Sequence, residues 1–245
     1  MIIDSHCHLK HGDAEGTEYS ADEIVEVMDA AGIDRSVVFA MQTTTRRSIE
    51  LASVAVAKYP DRLIPYVYAL PHYDRPVLPE LQDALEGGFF GIKIHIGECR
   101  LREHISDPVF DLAAAMDAPV LMDLAGDLGT AKRLARDFPD TKLIIAHLGQ
   151  YKGTNEPLID EFISVAEHHD NVWLDASGVV MAYMIAEAVN RVGAERVMFG
   201  IDGPHPKPDP VSYAEYAIKQ INMLKIADSD KEMVLGGSVQ RLLEM

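Results

Sequence analysis

Short apolar runs alternate with amphipathic stretches along the whole chain. The segments that contain these runs are four to eight residues long, a length that favours β-strands. We predict strands at 1–8, 36–40, 63–70, 89–96, 119–123, 142–147, 172–175 and 196–202. The stretches between them have apolar residues at helical spacing, and we predict helices between 20 and 32, at 47–58, 78–85, 108–116, 129–137, 156–168, 181–192 and 213–224, and from near 229.

The first helix has the clearest boundaries. Ser20 and Glu23 form the Ser-x-x-Glu pattern of a capping box, in which each side chain bonds the other residue's backbone N–H. The apolar stripe that follows consists of Ile24, Val25, Val27 and Met28. Gly32 closes the helix, because glycine readily adopts the left-handed conformation found after many helices.

The strand at 89–96 indicates how the sheet is covered. Its isoleucines alternate along one face, while the other face carries Gly91, Lys93 and His95. In a closed barrel wrapped by helices, aliphatic side chains pack outward and polar groups line the mouth. The polar face of this strand therefore favours a position at the mouth of a barrel.

Eight strands, each followed by a helix, predict parallel pairing. The number of units and the length of 245 residues are typical of a (β/α)8 TIM-type barrel, and we expect one α/β domain over 1–245. A doubly wound open sheet is the alternative. It usually has fewer strands, and no Gly-x-Gly-x-x-Gly turn follows the first strand here.

Charge and cysteine content narrow the functional classes. The net charge of −17 argues against nucleic acid or an anionic membrane as partner and favours a small-molecule substrate or a metal cation. Two cysteines give no disulfide framework, so a reducing cytoplasm is expected. We identify neither a signal peptide nor an apolar run of membrane-spanning length. The oligomeric state stays open; a homodimer is one option.

Candidate metal ligands gather at the predicted strand ends. A TIM barrel has its active site at the C-terminal ends of the strands. His6 and His8 are two residues apart on the first strand and share a face. The other strand ends carry Lys93, His95, Asp123, His147, Asp175 and Asp202. Imidazole and carboxylate donors suit one divalent ion, with zinc as the first choice and manganese or iron as alternatives. For Asp175 we expect a capping role or support of a ligand.

Six segments in chain order resemble the amidohydrolase superfamily, within it the amidohydrolase-2 group that includes relatives of aminocarboxymuconate-semialdehyde decarboxylase. They are the strand-one motif Ile3–His8, a Gly-Ile-Lys-Leu-His-like Gly91–His95, Ile145–Gly149, Leu174–Gly178, Phe199–His205 and a closing Val234–Leu243. The resemblance covers nearly the whole chain. Two positions depart from the group's pattern, with Ser238 in place of an asparagine and Asp123 in place of a metal-binding histidine. A carboxylate can also serve as a ligand.

The resemblance implies a metal-dependent hydrolase. It implies His6, His8, Asp123 and Asp202 as metal ligands, Asp202 as the group that accepts a proton from the attacking water, and His147 as stabiliser of the developing oxyanion. Such an enzyme would act on a small anionic substrate with an amide, a lactone or a related C–N or C–O bond. Lysines of the fourth strand bridge two metals as carbamates in parts of the superfamily. We expect an unmodified Lys93 and one ion, because the fifth strand lacks its histidine.

Substrate contacts are predicted from cationic and imidazole side chains near the mouth. Lys93 and His95 lie on the inward face of the fourth strand, and Arg46 and Arg100 follow the second and fourth strands. Arginine binds carboxylates with two parallel hydrogen bonds, so these residues suit an anionic substrate.

Three alternatives remain. Relatives in the group also perform non-oxidative decarboxylation with the same parts. The opening Asp4–Leu9 resembles TatD-type nucleases as well, but their glutamate-bearing strand and Thr-Asp motif are not found, and a charge of −17 disfavours a polyanion. The third alternative is a non-catalytic barrel with a decayed metal site, supported mainly by Asp123.

Overall fold

Parallel strands in sequence order form a barrel surrounded by helices. The structure is a computed structural model that describes residues 1–13, 15–75, 77–99 and 102–245. Within these ranges the strands are β1 (Ile3–Lys10), β2 (Arg35–Ala40), β3 (Leu63–Tyr68), β4 (Gly91–His95), β5 (Val120–Asp123), β6 (Leu143–Ile145), β7 (Val172–Asp175) and β8 (Val197–Met198). Each strand pairs in parallel with the next, so the predicted (β/α)8 barrel is confirmed.

The helices alternate with the strands. They are α1 (Ala21–Ala31), α2 (Thr45–Lys58), α3 (Leu78–Glu86), α4 (Glu103–Ala115), α5 (Leu128–Asp137), α6 (Glu156–His168), α7 (Ala182–Val192) and α8 (Pro210–Asn222). After α8, α9 (Asp228–Glu232), a π-helical turn at Met233–Gly237 and α10 (Ser238–Leu242) follow one another without a break. The predicted capping box of α1 is present, with both Ser20–Glu23 bonds formed and Gly32 left-handed at φ 77°.

The largest differences from the predicted boundaries lie at the start of α4 and the end of β8. Helix α4 begins at Glu103 rather than at Pro108, because one proline removes only one hydrogen bond and the buried Val109 and Phe110 keep the helix in place. Strand β8 ends at Met198 rather than at Asp202. The chain beyond it departs from regular strand geometry, since Asp202 has a left-handed φ of 54°.

The barrel closes between its first and last strands through the backbone. The N–H of Ser5 donates to the carbonyl of Phe199 at 2.9 Å, and the N–H of His8 donates to the carbonyl of Gly203 at 2.7 Å. Both bonds use the segment that follows β8, so closure draws this segment against β1. Closure therefore brings Asp202 to the side chains of β1.

An irregularity in β1 sets which side chains face inward. Between Asp4 and Cys7 the strand advances three residues while β2 advances two, from Ser36 to Val38, which adds one residue to β1. Side chains alternate along a strand, so the extra residue changes which positions point inward. As a result both Ile3, deep in the barrel, and His6, near its mouth, face the interior.

Two apolar layers surround the strands. The outer layer lies between strands and helices and takes Ile92 and Ile94 from β4, as the alternation predicted. The inner layer fills the barrel with side chains such as Phe39, Tyr66, Leu121 and Met198, and it includes Val239 and Leu242 of α10. None of the helices in the described ranges is both long and apolar enough to cross a bilayer.

Candidate metal centre

A polar cavity opens at the C-terminal ends of the strands. Its volume is about 420 Å³. It is lined by His6, His8, His11, Gly12, Asp13, Met41, Lys93, His95, Asp123, His147, Tyr151, Asp202, His205 and Pro206. The predicted residues of strands one, four, five, six and eight therefore meet in one place, as expected for a TIM barrel.

His6 is held by a fixed hydrogen-bond partner. Its Nδ1 lies 2.9 Å from Oδ2 of Asp175 on β7, and both side chains are buried. Because a carboxylate only accepts, this contact assigns the proton of a neutral His6 to Nδ1 and leaves a lone pair on Nε2. Asp175 also accepts from Ser5 Oγ at 3.1 Å and from the N–H of Ser177 at 3.1 Å. Asp175 thus orients His6, the supporting role expected from the sequence.

The backbone conformation after β6 determines where the side chain of His147 points. His147 and the following Leu148 have left-handed φ angles of 60° and 48°, which turn the chain at the strand end. The Nδ1 of His147 lies 2.9 Å from the carbonyl oxygen of Ser177. A carbonyl only accepts, so a neutral His147 also presents a lone pair on Nε2. A β-strand was predicted to reach His147, but β6 stops at Ile145.

Nitrogen and oxygen atoms of the kind that bind metal ions converge at Asp202. Its Oδ1 lies 2.8 Å from Nε2 of His8 and 3.1 Å from Nε2 of His6. Ligand atoms of His6, His147 and Asp202 all lie within 4.8 Å of one another, and all three residues are at least partly buried. Atoms that share one ion at about 2 Å lie roughly 3 Å apart, so the cluster fits a divalent cation.

Asp123 occupies a neighbouring position. Its Oδ2 lies 3.3 Å from Nε2 of His95 and 3.4 Å from Nε2 of His147, while Oδ1 accepts from the N–H of Ala125 at 2.8 Å. Among the residues that the structure describes, His147 rather than Asp123 is grouped with His6 and Asp202. The aspartate of the fifth strand therefore bridges two histidines at the side of the cluster.

Lys93 brings a positive charge to the same point. Its ammonium lies 3.1 Å from Nε2 of His6 and 4.9 Å from the centre of the Phe39 ring, and the side chain is buried. Burial lowers the pKa of Lys93, and the negative charges of Asp123, Asp202, Asp175 and Glu98 oppose that shift. The ammonium therefore lies within hydrogen-bond distance of the nitrogen that His6 presents to the cavity.

The carboxylates of Asp202 and Asp123 stay ionised. Burial alone would raise the pKa of Asp202, but its contacts with the imidazoles of His6 and His8 hold it well below its usual range. Burial also opposes ionisation of Asp123, yet its contacts with the imidazoles of His147 and His95 keep the pKa of Asp123 below its usual range. The site therefore presents two carboxylates at neutral pH.

Of the two predicted arginines, Arg46 lies outside this cavity. Arg46 lies on the outer face between α2 and α3, where its guanidinium is 3.2 Å from Glu80, and its side chain is 76% exposed. Arg100 lies outside the described residues. The cationic lining that can be described is thus Lys93 together with the cavity histidines.

Sequence reasoning missed several lining residues. His11 and His205 sit in loops just beyond the ends of β1 and β8, and their rings lie 5.6 Å apart. Ser177, which contacts both His6 and His147, was named only as part of a motif. Their position in the sequence could have identified them, because the loops that follow the strands of a TIM barrel form the mouth of the active site.

Comparison with known proteins agrees with this geometry. A family model described as Amidohydrolase matches residues 3–244. No curated protein matches the sequence significantly. Solved structures with the same fold include a probable 2-pyrone-4,6-dicarboxylic acid hydrolase from Acinetobacter baumannii with citric acid bound, at 17% identity and TM-score 0.75, covering 100% of this chain and 99% of that chain.

Two further structural neighbours are decarboxylases. The 5-carboxyvanillate decarboxylase of Sphingomonas paucimobilis has 16% identity and a TM-score of 0.75, covering 100% of this chain and 99% of that chain. A dihydroxybenzoic acid decarboxylase from Polaromonas sp., with bound manganese and the inhibitor 2-nitroresorcinol, has 18% identity and a TM-score of 0.73, covering 99% of this chain and 96% of the other. At such identities these structures establish the shared fold.

Proposed function

The chain belongs to the amidohydrolase family, and from this premise we propose that it is a metal-dependent hydrolase of a small anionic substrate. The observation that carries the proposal is the convergence of His6, His147 and Asp202, each offering a ligand atom within 4.8 Å of the others. Asp175 and Ser177 orient the two histidines from behind, as partners of metal-binding histidines usually do.

We propose His6, His8, Asp202 and His147 as the ligands of one divalent ion. His8 joins the set because its Nε2 lies 2.8 Å from Asp202 Oδ1. The sequence favoured Asp123 in the fourth place; its longer contacts run to His95 and His147 instead, which supports exchanging it for His147. Zinc, manganese and iron all accept this mixture of imidazole and carboxylate donors.

The ion and the protein residues would have different roles in the reaction. The ion would supply Lewis-acid polarisation of the substrate and a lowered pKa for the attacking water. Asp202 Oδ1 faces the two histidines of β1, which leaves Oδ2 to accept the proton of that water. Lys93 and His95 line the same cavity and would bind the anionic end of the substrate.

The hydrolase proposal is tested by a substrate screen with a matched pair of variants. Protein loaded with Zn²⁺ or Mn²⁺ is assayed on small carboxylated amides and lactones. We expect turnover by the wild type and loss of nearly all turnover in Asp202→Asn, because an amide cannot accept the proton. Arg46→Gln serves as control, since Arg46 lies outside the cavity. Equal turnover by wild type and Asp202→Asn would contradict the proposal.

Non-oxidative decarboxylation is a second candidate. It is favoured by the two decarboxylases among the structural neighbours, one of them with bound manganese. The same screen includes aromatic carboxylates and measures released CO₂ beside hydrolysis products. CO₂ release that needs the ion and Asp202, without hydrolysis of any amide or lactone, would replace the first proposal with the second.

A further inference from the structure

The buried ammonium of Lys93 lies against the proposed ligands. Only 1% of Lys93 is exposed, so water does not solvate its charge. Its contacts are Nε2 of His6 at 3.1 Å and the face of the Phe39 ring at 4.9 Å. An ammonium has three donors and no acceptor, so it needs acceptor atoms around it.

His6 offers that ammonium a single lone pair. A neutral His6 that donates from Nδ1 to Asp175 has its lone pair on Nε2, and this nitrogen lies 3.1 Å from the Lys93 ammonium and 3.1 Å from Oδ1 of Asp202. A metal ion bound to His6 would need the same lone pair. The two cations therefore exclude one another at this nitrogen.

We propose that the Lys93 ammonium occupies the ion's place at His6 in the metal-free protein and must withdraw from it when the ion binds. This inference rests on the proposed metal site. In the metal-free state the ammonium offsets the negative charge of Asp202, whose Oδ1 is 3.1 Å from the same His6 nitrogen. Lys93 thereby lowers the affinity of the site for its ion.

Asp123 is the acceptor to which the ammonium can turn. Lys93 and Asp123 line the same cavity from the neighbouring strands β4 and β5. A histidine at this position, as in the group's pattern, would not carry a fixed negative charge. The aspartate thus matches a lysine that stays charged after the ion enters.

The first test measures ion affinity in chelator-treated protein by titration calorimetry with Mn²⁺ and Zn²⁺. Lys93→Met removes the charge and keeps the length of the side chain, and we expect its affinity to rise on the order of 10-fold. Lys152→Met is the control: it removes the same charge from an exposed lysine near the mouth, outside the cluster, and should leave the affinity near the wild-type value.

A second set of variants tests Asp123. Asp123→Asn should weaken ion binding on the order of 10-fold, because the amide oxygen still accepts a hydrogen bond but no longer offers the displaced ammonium a negative charge. The double variant Lys93→Met/Asp123→Asn should bind the ion at least as tightly as the wild type, since no ammonium has to be displaced. If Asp123 were itself a ligand, the double variant would bind as weakly as Asp123→Asn, and that result would overturn its role as acceptor.

Thermal melting covers the case in which Lys93→Met folds poorly. Without ion, Lys93→Met should melt below the wild type, and saturating Mn²⁺ should raise its melting temperature more than that of the wild type; Lys93→Gln is the replacement if the methionine variant aggregates. If Lys93→Met binds the ion with wild-type affinity or more weakly, or if Lys152→Met gains as much affinity, the inference about Lys93 is overturned and the proposed metal site still stands. If no protein binds an ion, the proposed metal site fails with it.

Discussion

At the scale of single residues, the hydrogen bond made by Nδ1 of a histidine decides whether its Nε2 presents a lone pair to the cavity. His6 and His147 both turn Nδ1 toward fixed acceptors, Asp175 and the Ser177 carbonyl, and so present Nε2 lone pairs. His8 differs, because its buried Nδ1 has no hydrogen-bond partner among the residues that the structure describes. We therefore expect His6 and His147 to be the more rigidly oriented ligands and His8 to depend more on the ion.

The role of His147 can be separated from those of the other ligands by substitution. We expect His147→Ala to lose the ion together with activity, as His6→Ala should, because both residues offer oriented Nε2 atoms to the same cluster. Elemental analysis and rate are measured on the same preparations. Retained metal with a rate loss on the order of 10²–10³ would instead make His147 a stabiliser of the transition state, the role predicted from the sequence.

Asp4 gives the protein a pH-dependent stability. It is fully buried, and its Oδ1 accepts from the N–H groups of His6 and Ile201. Within the described part of the chain, Oδ2 has no hydrogen-bond partner. Burial raises the pKa of Asp4 to about 7 despite these bonds. Between the unfolded carboxyl's pKa near 3.8 and about 7 the folded protein holds a proton that the unfolded chain has lost, so stability falls as pH rises.

The Asp4→Asn variant tests this dependence, because an amide does not titrate. From pH 5 to pH 8 the melting temperature of chelator-treated wild type should fall by roughly 5 °C more than that of the variant. Scanning calorimetry at several pH values gives the difference between the two curves, which removes the contribution of other groups. Parallel curves would show that Asp4 titrates alike in the folded and unfolded states.

At the scale of elements, the close approach of the last strand to the first requires a glycine. A Cβ on Gly200 would lie 2.5 Å from Oδ1 of Asp175 and 3.0 Å from Cβ of His6. The segment after β8 thus packs directly over the pair that orients the proposed ligand. A side chain at Gly200 would push the segment after β8 away from Asp175 and His6.

Gly200→Ala should therefore destabilise the protein by about 1–3 kcal/mol and weaken ion binding, because overpacking displaces Asp175 and His6. Gly129→Ala is the matched control. Its Cβ would meet Asp127 Oδ1 at an ordinary 3.4 Å within α5, where alanine is the better helix former. Denaturant unfolding measures both variants. A Gly200→Ala variant as stable as the control would show that the closing segment can shift at little cost.

Features of the elements were predictable from the sequence where they depend on a short local pattern of residues. The capping box gave α1, and strand alternation gave the inward face of Lys93 and His95, because both depend on neighbours along the chain. The end of β8 and the grouping of His147 rather than Asp123 with the cluster depend on barrel closure and on left-handed φ angles. Those features arise between distant segments, so spacing alone could not supply them.

At the scale of the whole molecule, charge separates the site from its surroundings. The chain carries 39 acidic and 22 basic residues, a net charge of −17. This field raises the local concentration of cations and repels polyanions. It supports a metal cation as the bound species and a small substrate rather than nucleic acid. A small anion entering the cavity then needs local positive charge, which Lys93 and the proposed ion would provide.

The same charge makes stability depend on salt. Repulsion among excess carboxylates destabilises the compact state, and salt screens it over a distance of about 10 Å at 0.1 M. Exposed ion pairs such as Lys132–Glu161 weaken in salt as well, but pairs of this kind contribute at most about 1 kcal/mol each. Raising NaCl from 20 to about 500 mM at pH 7.5 should therefore increase the melting temperature. At pH 5, near the isoelectric point of about 4.9, the increase should nearly vanish. A melting temperature that falls with salt at pH 7.5 would mean that ion pairs outweigh the repulsion.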